Sequence, residues 1–123
     1  MKVLELRKSY QLQSIIEIVS KYIRENNNFT NDNYCLYTET DVDFGVLELV
    51  CYIEEGATIT DNDEEIYPDF VQQKSLNFFY DGNQFEDVLL NVQHQKSDAT
   101  IDDYILALDY YAKYDTFKDF RCW

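Results

Sequence analysis

An α+β domain, with a small and mainly antiparallel sheet, one helix before it and two after it, is the fold class this sequence predicts. Three observations predict it. Apolar residues recur at three-and-four spacing near the start of the chain and again in its last third. Short runs rich in β-branched and aromatic residues fill the middle. The 123 residues, 46 % hydrophobic and 16 % aromatic, suffice for one buried core. With 3 Gly and 1 Pro the chain is neither linker-rich nor low-complexity, and residues 1–123 read as a single domain.

Residues from about 5 to 25 read as the first helix, with Leu12, Ile15, Ile16, Val19, Tyr22 and Ile23 on one face. Arg7, Lys8, Lys21 and Arg24 lie off that face, which is ordinary for a helix covering a sheet. YCLYT (34–38) and VLELVCYI (46–53) read as an antiparallel strand pair joined through the turn formers TDVDFG (40–45). The second run is the most apolar in the chain and is expected in the centre of the sheet. Residues 54–69 read as an acidic loop in which Ala57, Thr58 and Ile59 could add a short strand, and Pro68 opens a helical turn. LNFFY (76–80) is a further strand, followed by a turn at Asp81, Gly82 and Asn83. A helix then runs from Gln84 to about Gln95 on Phe85, Val88, Leu89 and Val92, with Glu86 and Asp87 in its first turn. After a break at Ser97, Asp98 and Ala99, Thr100 and Asp103 form a variant capping box for the last helix. Its face is Ile101, Tyr104, Ile105, Leu108 and Tyr111, and the aromatic tail is expected to pack back on the domain.

Charge is the feature that bears on function. Residues 25–73 contain thirteen acidic residues and neither Lys nor Arg, whereas the whole chain has a net charge of −14. Such concentration disfavours direct nucleic-acid binding, which needs clustered Lys and Arg. It favours a basic protein partner, because complementary fields speed and orient encounter. The expected contact residues are Glu55, Asp61, Asp63, Glu64, Glu65 and Asp69, with Tyr67 as an aromatic anchor beside the stiffening Pro68. Eleven tyrosines are too many for the core alone, and exposed Tyr among carboxylates is the composition of a protein-binding surface.

Other chemistry finds little support. Asp61 to Glu65 lacks the spacing, central Gly and terminal bidentate Glu of a calcium loop, so neither a metal nor a cofactor is expected. His94, the one histidine, falls on the polar side of its helix with no activated nucleophile in the local pattern. No phosphate-cradling or dinucleotide motif occurs, and no enzymatic activity is expected. Cys35, Cys51 and Cys122 are odd in number and lack metal spacing, which suits free thiols in a reducing compartment. The MKVLELRKSY start reads as no signal peptide and no run is long enough to span a membrane, so the expected location is cytoplasmic.

From the YPDF run (67–70) onward the chain resembles a group of small acidic bacterial proteins that includes immunity proteins of contact-dependent growth inhibition systems. The likeness rests on DVLLNVQHQK (87–96), TIDDY (100–104), ALDYY (107–111) and Asp115, Thr116 and Phe117, within residues 67–120. It implies a cytoplasmic protein that binds and neutralises a toxin domain delivered by a neighbouring cell, frequently a nuclease, and it carries over no catalytic residues. Two other functions share parts of the pattern. A nucleic-acid mimic that inhibits a host DNA-binding or restriction protein would use the same charge logic. A small acid–base enzyme would need paired, perturbed carboxylates in a cleft.

Overall fold

The computed structural model describes residues 3–40 and 47–120. Ten elements follow one another: β1 (Ser9–Gln11), α1 (Leu12–Asn26), β2 (Cys35–Thr38), β3 (Val50–Glu54), β4 (Thr58–Ile59), β5 (Glu65–Ile66), α2 (Asp69–Gln73), β6 (Asn77–Asp81), α3 (Gly82–Gln95) and α4 (Ile101–Tyr114). The fold is α+β. Its main sheet has the order β1-β3-β2-β6 with every neighbouring pair antiparallel, and β4 and β5 form a separate hairpin.

Period-two alternation sorts the strands onto two faces. Leu36, Cys51 and Ile53 point into the main core, where α1, α3 and α4 contribute Leu12, Ile16, Phe85, Leu89 and Leu108. Cys35 and Tyr37 point the other way, into a smaller cluster with Val71 and Leu76, flanked by Tyr52, Tyr67 and Phe70. The central position expected for the apolar strand is observed, since β3 lies between β1 and β2. The expected start of that strand at Val46, the preceding turn with Asp41 and Asp43, and Cys122 with the end of the tail lie outside the described residues.

The first helix starts later than its periodicity suggests. Arg7 adopts a left-handed φ of 63°, and residues 9–11 form an extended edge strand instead. The cause is the demand of β3 for a second partner: Arg7 donates its amide to the Ile53 carbonyl at 2.6 Å, and the Ile53 amide donates to Lys8 at 3.0 Å. Arg7 and Lys8 are therefore not helix-face residues. Helix α1 has no side-chain N-cap; the Leu12 and Gln13 amides donate to the Leu49 and Leu47 carbonyls at 2.7 and 3.0 Å.

The junction of β6 and α3 is also tighter than a turn. Asp81 closes the strand and caps the helix, accepting the Gln84 amide at 3.1 Å. Gly82 donates its amide to the Tyr34 carbonyl at 3.0 Å, and a Cβ there would lie 2.2 Å from that oxygen. Because α3 begins at Gly82, Glu86 falls beyond its first turn and is buried, only 3 % exposed. Its carboxylate accepts the Thr30 amide at 2.9 Å, the Thr30 hydroxyl at 2.6 Å and the Tyr34 phenol at 2.6 Å. Burial, and then the Glu86 charge, push the Tyr34 phenol far up.

At α4 the capping box is formed as the sequence predicts, with Thr100 and Asp103 exchanging side-chain-to-amide hydrogen bonds. Gln95 ties down the following tail, donating to the Lys118 carbonyl and accepting the Phe120 amide, both at 2.8 Å.

Candidate functional site

The acidic stretch between β3 and α2 is a built hairpin and not an open loop. Thr58 pairs with Ile66 and Ile59 with Glu65. The five-residue turn between them is organised by Thr60, whose hydroxyl accepts the Asn62 and Glu64 amides while its own amide donates to the Glu64 carbonyl at 2.9 Å. Asp63 takes a left-handed φ of 62°, a conformation that a short polar side chain tolerates.

The flanks of the hairpin are fastened to the sheet through Tyr37 and to α2 through Gln72. The Tyr37 phenol donates to the Glu55 carbonyl at 2.9 Å. The Tyr67 ring meets Tyr37 edge-on with centroids 6.1 Å apart, and Phe78 meets Tyr37 in the same way at 6.0 Å. Gln72 of α2 donates to the Tyr67 carbonyl at 2.7 Å. The anchor role expected of Tyr67 is thus turned partly inward: the side chain is half-buried and its hydroxyl donates to Glu65 at 3.3 Å. Burial, and then the Glu65 charge, raise its phenol pKa.

Glu55, Asp61, Asp63, Glu64, Glu65 and Asp69 are all exposed, and the fold brings them onto this one hairpin and its flanks. Four further acids of residues 25–73 are used differently. Glu54, 2 % exposed, pairs with Arg7 at 3.2 Å and accepts the Glu55 amide. Glu25 pairs with Lys21 along α1, Asp32 accepts the Val3 amide, and Glu39 accepts the Tyr52 hydroxyl at 2.7 Å. Four tyrosines, Tyr34, Tyr37, Tyr80 and Tyr104, are core residues, whereas Tyr114 is exposed.

Sequence patterns missed the apolar part of this surface. Ile59, Ile66 and Phe78 are 63 %, 47 % and 50 % exposed. Alternation within the hairpin sends Ile59 and Glu65 to one side and Thr58 and Ile66 to the other. On the first side lies a groove of about 460 Å³ against β6, lined by Ile59, Glu65, Tyr67, Phe78 and Asp81 with Cys35 among its wall residues. On the second side lies a groove of about 320 Å³ lined by Thr58, Ile66, Pro68 and Asp69. The available signal was Ile59 and Ile66 flanking a TDNDE turn, a hairpin spacing with strands too short to register as alternation.

Burial pushes the Cys35 thiol up to about 11 and the Cys51 thiol up to about 12, so both are protonated at neutral pH. His94 is exposed on α3. Among the described residues no group of three or more His, Cys, Asp or Glu side chains could hold a metal ion, and no helix is long and apolar enough to cross a membrane.

No curated protein and no solved structure matches the chain. One family model does, over residues 11–120, from the last residue of β1 to the tail behind α4, and its description is a domain of unknown function. That span takes in the whole hairpin and both of its grooves, and the chain therefore belongs to the DUF7716 family.

Proposed function

We propose that this protein is an immunity protein that binds a basic toxin domain, a nuclease, and neutralises it by covering its positively charged surface. The observation that carries the proposal is the hairpin: six exposed carboxylates on it and its flanks, one exposed isoleucine on each of its sides, Ile59 and Ile66, and no Lys or Arg in the segment. A nuclease must hold a polyanion, so its cleft is positive, and a carboxylate surface with apolar side chains among the charges complements it. Functional residues favour loops carried by a scaffold, and β3 with Tyr37 supplies that scaffold here. The site of action is the cytoplasm, a setting in which the free thiols of Cys35 and Cys51 stay reduced. The role assigned is binding without catalysis.

The test sequences the reading frames beside the gene, where this reading expects a basic toxin domain, and measures binding to that domain. Its association rate with this protein should fall as salt rises, while the dissociation rate changes less. Changing Asp61→Asn, Asp63→Asn, Glu64→Gln and Glu65→Gln together should weaken binding by about 2 kcal/mol or more and abolish protection of cells. A folded quadruple variant that protects as well as the parent would place the contact elsewhere, with the C-terminal helices and their Asp102, Asp103, Asp109 and Tyr110 next to be tested.

A further inference from the structure

The groove between the β4–β5 hairpin and β6 differs from the rest of the acidic surface in joining apolar walls to carboxylates. Ile59, Tyr67 and Phe78 supply the walls, and Glu65 and Asp81 line the same space. Both carboxylates keep acceptor capacity. Asp81 uses Oδ2 for the Gln84 amide, and its Oδ1 meets only the weak thiol donor of Cys35 at 3.7 Å among the described residues. Glu65 uses Oε2 for the Tyr67 hydroxyl at 3.3 Å. An apolar stem with a cationic, multi-donor end fits such a lining, because the stem covers the rings while the end reaches the acceptors.

The chain itself provides an internal example on the same face of the sheet. Lys74 lies over the Tyr52 and Phe70 rings, its Nζ 5.8 and 5.6 Å from their centroids. Tyr67 and Phe78, the ring pair that flanks Tyr37, carry no such cation among the described residues.

We propose that this groove seats one arginine side chain of the basic partner, its stem against Ile59, Tyr67 and Phe78 and its guanidinium at the Glu65 and Asp81 carboxylates. The proposal rests on the immunity reading for the identity of the partner, and not for the chemistry of the groove. Arginine is favoured over lysine because a planar fork can bridge two acceptors and stack on a ring at once.

The experiment titrates the folded protein with acetyl-arginine methylamide and follows backbone amide resonances. Acetyl-citrulline methylamide, the uncharged isostere, and acetyl-lysine methylamide serve as comparison probes. Arginine should shift the amides of residues 56–59, 65–67 and 78–81, and saturate them more tightly than either comparison probe does. Glu65→Gln should weaken that binding about tenfold, the effect of one charge-assisted hydrogen bond. Phe78→Ser, which removes one ring of the wall and its contact with Tyr37, should also weaken it, with the unfolding midpoint measured alongside to show that the variant stays folded. Equal binding of citrulline or lysine, or shifts spread evenly over Asp102, Asp109 and the other acids, would overturn the proposal. If arginine seats in the groove but the toxin domain does not bind the protein, the immunity reading fails and the groove assignment stands. If the toxin domain binds Glu65→Gln and Phe78→Ser as tightly as the parent, and arginine leaves the groove unshifted, the groove assignment fails and the immunity reading stands.

Discussion

On one face of the sheet Leu36, Cys51 and Ile53 lie beneath three long helices and are closed to water. On the other face Tyr52, Tyr67 and Phe70 are only half-covered, by the five-residue α2 and a hairpin whose strands are two residues long. The first face contains the residues that a fold needs and little that a partner could touch. The second leaves large apolar side chains at the surface inside a ring of carboxylates, an arrangement that costs stability through repulsion and unburied area. Stability and recognition are thus assigned to opposite sides of one four-stranded sheet. Substitutions should therefore cost most on the closed face and least on the open one.

The largest loss is expected at Phe85, fully buried between α3 and the sheet. Phe85→Ala should cost about 3–5 kcal/mol in urea unfolding, and a loss below about 1 kcal/mol would mean that the closed face is loosely packed. Glu86→Ala comes next. It leaves the Tyr34 phenol and both Thr30 donors without their acceptor and should cost about 3 kcal/mol, measured the same way. Retained stability there would show that water replaces the carboxylate.

Thr100→Ala removes one half of the capping box and should cost about 1 kcal/mol. The same box sets an acid limb. The Thr100 amide, and then Lys96, hold the Asp103 carboxyl below its ordinary 3.8. The stability this contributes is complete above that unfolded value and is lost as pH falls through the lower folded value. Asp103→Asn should flatten the limb, and an unchanged acid profile would assign it to other carboxylates. The smallest effect is expected on the open face. The quadruple change at Asp61, Asp63, Glu64 and Glu65 should leave the unfolding midpoint nearly where it was, since small shifts of either sign at exposed positions partly cancel and the loss of four like charges relieves repulsion. A large drop would mean that the hairpin is part of the folding core.

Much of the closed face was legible in the sequence, because helix and strand periods are set by which side is buried. The Phe85, Val88, Leu89 and Val92 stripe, the Thr100 cap and the pairing of β2 with β3 all follow from local spacing. What escaped depends on distant partners. Ser9 to Gln11 alternates polar, aromatic and polar over only three residues, too short a run to mark it, and it is a strand because β3 requires a neighbour. Glu86 resembles any early helix acid until a loop 56 residues away in sequence supplies Thr30. The hairpin's acids were legible as charge. Its exposed Ile59 and Ile66 were not legible as a surface, since two-residue strands are shorter than any reliable period.

The three residues of β1 also decide how the molecule behaves in company. The span common to the family begins at Gln11, the last residue of that strand, so most of what shields the outer edge of β3 lies ahead of it. A chain cut to begin at residue 12 would lose the pairing of Ser9, Tyr10 and Gln11 with Tyr52, Cys51 and Val50. Bare amides and carbonyls along β3 would then be a template for the same edge of another molecule. Light scattering from the shortened chain should rise with concentration while that from the full chain stays flat, the outcome expected if β1 guards β3 against self-association.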